Sequence, residues 1–220
     1  MTRHRFFEPY KGSKYQVGIK GKKILVIGVS FYCKTKECQY YNSCTSDKYK
    51  DSSKYDDCCK DLKDKGLLLH YYPSISRKWD KKVTANRNFA QFLRKYIKSD
   101  SVWDYVAFTN YIQYFLGHRS THSTNITESD FESFKETVIE LEPDIIVTWG
   151  KVVQNEIMDN HRKHIIDYDE NDKNNWWLRH IMFDEVHKAI PILFSWHPSS
   201  SKWNSDLKAT HIFFEKALNE

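Results

Sequence analysis

The chain has 220 residues, 40% of them hydrophobic, and a formal charge of +5 from 34 Lys and Arg against 29 Asp and Glu. That length and apolar fraction fill one core and demand no second domain. No run approaches the roughly twenty consecutive apolar residues of a membrane span, and the opening MTRHRFFEPY lacks the apolar core of a signal peptide, so we expect a cytoplasmic or nuclear monomer with no membrane partner.

The mild basic excess suits a phosphate-bearing partner and suits a solvated surface equally well. Aromatic residues make up 15% of the chain, enough to build a stacking face as well as a core.

Ile24-Leu25-Val26-Ile27, closed by Gly28, is a short continuous apolar run, the pattern of a strand buried on both faces of a parallel sheet. The chain leaves it through Val29, Ser30, Phe31 and Tyr32. From Cys33 to about Lys65 the sequence is polar and without period, which predicts an inserted loop. All five cysteines fall in or at the edge of it, and the 161 residues after Cys59 contain none. Such a cluster reads as a structural zinc or other metal site on Cys33, Cys38, Cys44 and Cys58, or as reduced thiols including Cys59. The spacing C-x4-C-x5-C-x13-C-C lacks the paired C-x2-C knuckles of standard zinc modules.

Thr84 is placed to cap a helix running to about Lys98, with Phe89, Phe92, Leu93, Tyr96 and Ile97 at helical spacing. Tyr105-Val106-Ala107-Phe108 predicts a second strand that ends at Thr109-Asn110. Thr127 and Asp130 offer a capping-box start to a helix that Pro143 stops. Ile145 to Trp149 predicts a third strand, turned at Gly150 into a helix over Lys151 to Asn160. Asp167 to Asn175 is a charged, Asn-rich surface loop. Ile190 to Trp196 is a fourth strand ending at His197-Pro198-Ser199-Ser200-Ser201, and a last helix from about Ser205 carries Leu207, Ile212, Phe213 and Leu218. Strands alternate with helices, so we expect an α/β fold: a three-layer α/β/α sandwich around a central four-stranded parallel sheet.

In such a sheet, ligands bind beyond the carboxyl ends of the strands, and here those ends carry Ser30-Phe31-Tyr32, Asn110 and His197. Four segments, Gly28-Val29-Ser30-Phe31-Tyr32, Phe108-Thr109-Asn110, Val147-Thr148-Trp149-Gly150 and Ser195-Trp196-His197-Pro198-Ser199-Ser200, follow in the order and rough spacing of the motifs of the uracil-DNA glycosylase superfamily, which the chain resembles outside the cysteine insert. The resemblance implies that Tyr32, with Phe31 beside it, walls a base pocket, that Asn110 pairs with the edge of a flipped base, and that His197 donates to the base carbonyl. Thr84-Ala85-Asn86-Arg87-Asn88-Phe89 is similar to the segment near the DNA backbone, implying backbone contacts at Thr84 and Asn86, joined by Ser199 and Ser200. Ser30 stands where the family carries a water-activating Asp or Asn, and a serine hydroxyl is too weak a base to replace it alone. Ser201 falls where the family places an intercalating Leu, with Trp203 as a substitute wedge.

These roles are physically coherent. Chemistry on a base requires extruding it into a pocket where an aromatic face packs the ring and an amide reads its edge. A histidine at its carbonyl oxygen stabilises the charge left by glycosidic cleavage. The expected activity is hydrolysis of the N-glycosidic bond of uracil or a modified base in DNA, with no cofactor required for the chemistry. Two alternatives remain open: an inactive nucleic-acid-binding module on DNA or RNA, and a hydrolase of free nucleosides. Salt-sensitive binding separates the first two from the third. Asp56, Asp57, Asp80 and Asp104 are the carboxylates considered as replacement bases.

Overall fold

In a computed structural model, the structure describes residues 9–33, 84–113, 115–117, 126–167 and 177–220, with 31–33 and 115–117 described as backbone. The chain folds as α/β with a six-stranded mixed sheet. Its strands are β1 (Tyr10–Lys11), β2 (Ile24–Gly28), β4 (Val106–Asn110), β6 (Ile145–Trp149), β7 (Leu178–Ile181) and β8 (Ile190–Ser195), in the order β1-β4-β2-β6-β8-β7. Neighbours among β4, β2, β6 and β8 pair in parallel, whereas β1 and β7 close the edges antiparallel. The four predicted strands are all present. The two edges have no clear sequence signal because one has two residues and the other, Leu-Arg-His-Ile, breaks its apolar run with two polar side chains.

Successive strand residues face opposite ways. Ile24, Val26, Phe108, Val147 and Leu193 join one apolar cluster with α1 (Thr84–Leu93) and α5 (Leu207–Asn219). Leu25, Ile27, Ala107, Ile146 and Ile192 join the other with α2 (Glu128–Leu141) and α3 (Lys151–Asn160). The continuous apolar strands are therefore buried on both sides, as their sequence demands.

Helix boundaries follow local chemistry. Asp130 closes the capping box of α2, accepting from the Thr127 N–H at 2.9 Å, and Glu142 ends the helix in the left-handed region. Helix α1 stops at Leu93, earlier than the spacing predicts, because the Tyr96 and Ile97 N–H groups both turn back to the Leu93 carbonyl. The last helix, expected from about Ser205, begins at Leu207. A five-residue α4 (Ser201–Ser205) breaks at Asp206 before α5, and the new phase leaves Ile212 55% exposed while Phe214 takes the core position.

Beyond the main sheet, β3 (Phe31–Cys33) pairs in parallel with β5 (Phe115–Gly117). Cys33 thus ends a strand rather than opening a loop. Cys38, Cys44, Cys58 and Cys59 lie outside the described residues, as do Asp56, Asp57, Asp80 and all of the expected surface loop except Asp167. Among the described residues no helix is long and apolar enough to cross a membrane.

The edge strand β7 is fastened to the end of α5 by His180, whose Nδ1 lies 2.8 Å from Asp167 Oδ2 and whose Nε2 lies 2.7 Å from Glu220 Oε2. Two carboxylates require two ring donors, so the geometry holds an imidazolium. Burial opposes that charge, but the hydrogen bonds and charges of Asp167 and Glu220 outweigh it and raise the pKa. The stabilisation is therefore complete below about pH 6.5, the unfolded value, and fades as pH rises through the higher folded value. His180→Gln is expected to lower Tm by about 2–4 °C near pH 5.5 and to do little at high pH, measured by thermal melts across that range. A uniform loss at every pH would show that the charge is not what the clasp uses.

Candidate functional site

In a parallel sheet the crevice opens where successive connections leave a strand in opposite directions. Here the chain passes from β2 to its neighbour β4, then crosses back over β2 to β6, so that point lies beyond the carboxyl ends of β2 and β6. The ends of β4 and β8 flank it. Asn110, Ser30, Gly150 and His197 are therefore delivered to one rim by four strands.

Two glycines let these groups approach. Gly28 pairs with Asn110 across the β2–β4 ladder, and a Cβ on Gly28 would lie 2.2 Å from Asn110 Oδ1, so the amide occupies the space that a side chain would fill. Gly150 sits at φ +91°, which only glycine adopts readily, and its Cβ position is 3.7 Å from His197 Cβ and 3.8 Å from Val29 Cγ2. Its N–H donates to the Ser195 carbonyl at 2.7 Å, locking the turn onto β8.

Asn110 is 5% exposed. Its carbonyl accepts from Gln113 Nε2 at 2.6 Å, while the Tyr111 and Ile112 N–H groups donate to the Gly28 and Val29 carbonyls, each at 2.9 Å. The loops after β4 and β2 thus continue the ladder past Asn110, which sets Val29 and Ser30 against Tyr111 and Ile112 on a fixed backbone. Gln113 N–H also donates to Asp130 Oδ1 at 2.9 Å. Asp130 is fully buried and accepts from Thr127 as well, so it is committed to structure.

His197 is half-buried, with the Trp149 ring edge-on at 5.9 Å. The Ser199 hydroxyl lies 2.7 Å from His197 Nδ1, and the Ser199 N–H donates to the same nitrogen at 3.3 Å. Because Nδ1 accepts, the hydrogen of the neutral ring sits on Nε2. The turn is fixed by Ser200 N–H donating to the His197 carbonyl at 2.8 Å and by Asn88 Nδ2 donating to the Pro198 carbonyl at 2.6 Å. Asn88 thus joins α1 to the His197 turn, a role with no signal in the local sequence. Trp149, which ends β6 within one of the four resembling segments, has an indole nitrogen that is buried without a hydrogen-bond partner among the described residues.

The other expected site residues are distributed unevenly. The backbone of Phe31 and Tyr32 continues from the crevice as β3, and their side chains lie outside the described residues. Thr84 is exposed at the start of α1, but Asn86 is 7% exposed, which leaves Thr84 and Arg87 as the exposed polar residues of that turn. Ser199 is exposed. Ser200 caps α4 by accepting from the Trp203 N–H at 3.2 Å. Trp203 is 2% exposed among Phe89 and Phe92, so it cannot be the wedge, and Ser201 stands exposed. Asp104 precedes β4 at the far end of the sheet and cannot reach the crevice.

A cavity of about 360 Å³ lies at that far end too, lined by Lys22, Asp144, His180, Lys188 and Glu220. Four of these five groups pair with each other, Lys188 3.0 Å from Asp144 and His180 2.7 Å from Glu220, so the crevice is the better candidate. Among the described residues no cluster of three or more His, Cys, Asp and Glu is arranged to hold a metal. No protein-family model matches this chain, and no curated protein matches it.

Proposed function

We propose that the crevice is a nucleobase site and that the chain is a DNA-base N-glycosylase-like protein, a divergent member of the uracil-DNA glycosylase superfamily with its three-layer sandwich around four parallel strands. The observation that carries this reading is the packing of the Asn110 amide into the space above Gly28, across the crevice from a histidine whose hydrogen is directed to Nε2. An amide offers both a donor and an acceptor to the edge of a base.

Cleavage breaks the bond between the sugar carbon and the base nitrogen, and the electron pair leaves with the base. His197 Nε2–H donates to the carbonyl oxygen on which that charge gathers, an interaction that strengthens toward the transition state. Water then adds to the sugar carbon and loses a proton. Neither Asp130, committed to three hydrogen bonds, nor Asp104, which is remote, is placed to take that proton.

The test is release of base from single-stranded and duplex oligonucleotides carrying uracil or modified bases, scored as abasic sites. His197→Ala is expected to lower the rate about 10²–10³-fold, the usual effect of deleting one donor to a developing charge. A second reading, a binding module without hydrolysis, is favoured specifically by Ser30. Salt-sensitive binding with no release from any substrate would establish it in place of the first.

A further inference from the structure

One aromatic side chain on the rim of the crevice carries two cations. Lys151 Nζ lies 4.8 Å and Lys202 Nζ 4.6 Å from the centroid of the Trp196 ring. The ring is itself anchored, because its Nε1–H donates to Asp206 Oδ2 at 2.7 Å. Three elements converge to build this group: Trp196 is the residue between β8 and His197, Lys151 opens α3 directly after Gly150, and Lys202 lies in the first turn of α4. All three therefore border the turn that carries His197.

We propose that Lys151 and Lys202, held on the Trp196 ring, form a phosphate clamp that grips a nucleic-acid strand at the lip of the crevice. This rests on the reading of the crevice as a nucleobase site. A π face attracts an ammonium through its charge and leaves the N–H groups able to donate elsewhere. Each lysine stem would otherwise lose rotamer freedom on gripping a ligand, and the ring removes part of that loss beforehand. Asp206 anchors the ring edge through Nε1–H, and the two ammonium groups lie 4.8 and 4.6 Å from one ring centroid, close enough together for neighbouring phosphates of one strand to reach both. A strand whose base enters toward Asn110 and His197 carries phosphates on either side of that nucleotide, which supplies two anions where the lysines stand.

The experiment is the salt dependence of binding to a single-stranded oligonucleotide of about sixteen nucleotides, read by fluorescence anisotropy. Deleting one lysine–phosphate interaction with a single strand lowers the slope of log affinity against log salt by about 0.7. The double variant Lys151→Ala, Lys202→Ala is expected to reduce the slope by about 1.4 and the affinity roughly 25-fold near 0.1 M salt. The pair Lys151→Arg, Lys202→Arg should keep the slope. Lys216→Ala, an exposed lysine in the last turn of α5 toward the far end of the sheet, should leave the slope unchanged because it removes equal charge away from the crevice. Unchanged thermal melts establish that each variant is folded.

An Ala double variant with the wild-type slope overturns the clamp, and so does wild-type protein that fails to bind the strand. The nucleobase reading is tested apart, by equilibrium binding of the free base to wild type and to Asn110→Ala. Base binding that depends on Asn110 while the slope is unmoved leaves that reading standing and removes the clamp alone.

Discussion

Gly28→Ala is expected to lower base release, or base affinity where no release occurs, about 100-fold and to lower Tm by several degrees. The added methyl would sit 2.2 Å from Asn110 Oδ1 and 3.1 Å from Phe108 Cζ, well inside van der Waals contact. Gly28 has no positive φ, so the demand for glycine here is one of space and not of backbone conformation. Phe108 belongs to the apolar cluster with Trp103 and Trp149 and has little freedom to retreat. The yielding group is the Asn110 amide. A displacement of about 1 Å in a positioning group costs on the order of 10²-fold, and overpacking of a buried site costs about 1–3 kcal/mol. A double-mutant cycle identifies the route. If Gly28→Ala acts through Asn110, adding it to Asn110→Ala lowers release little further, whereas multiplying losses would mean that the glycine matters for something else.

That glycine shows what a sequence conveys and what it withholds. Ile24 to Gly28 and Ile145 to Trp149 declare themselves as strands because they are apolar almost throughout, which is what burial on two faces requires. The placement of Asn110 and His197 at strand ends follows from the same periodicity. The approach of the Asn110 side chain to Gly28 does not, because it depends on which strands are neighbours. The pairing of β2 with both β4 and β6 puts Gly28, Asn110 and Gly150 together, and no local pattern encodes that order.

Trp203 fails as a wedge for a related reason. It lies two residues past Ser201, where the resemblance puts the wedge, and the five-residue α4 turns it inward onto Phe89 and Phe92. Trp196, directly before His197, reads in sequence only as the end of a strand. Its two lysine neighbours come from separate helices, so the group exists only in three dimensions.

Ser30→Asp is expected to raise the single-turnover rate of base release about 100-fold or more at pH 8, with binding to the oligonucleotide unchanged in salt slope. A positioned general base contributes about 10²–10⁴-fold, and a serine hydroxyl contributes little of it. Ser30 follows Val29, whose carbonyl accepts from Ile112 N–H at 2.9 Å, so a carboxylate at position 30 inherits a backbone already fixed at the rim of the crevice. The sign of its pH dependence is set by the new group: the gain requires ionised carboxylate and disappears as pH falls through its pKa, near 4 for a solvated Asp and higher where burial is felt. Ser30→Asn separates basicity from shape, since the amide matches the carboxylate in size and takes no proton. A rise with Asp and none with Asn identifies water activation as the step in which this chain is deficient. Equal rises with both assign the gain to positioning. No rise with either, in protein that still binds the base through Asn110, moves the protein to the binding module, because a crevice that recognises a base and cannot be given hydrolysis by a carboxylate at that position is built to hold the base and not to release it.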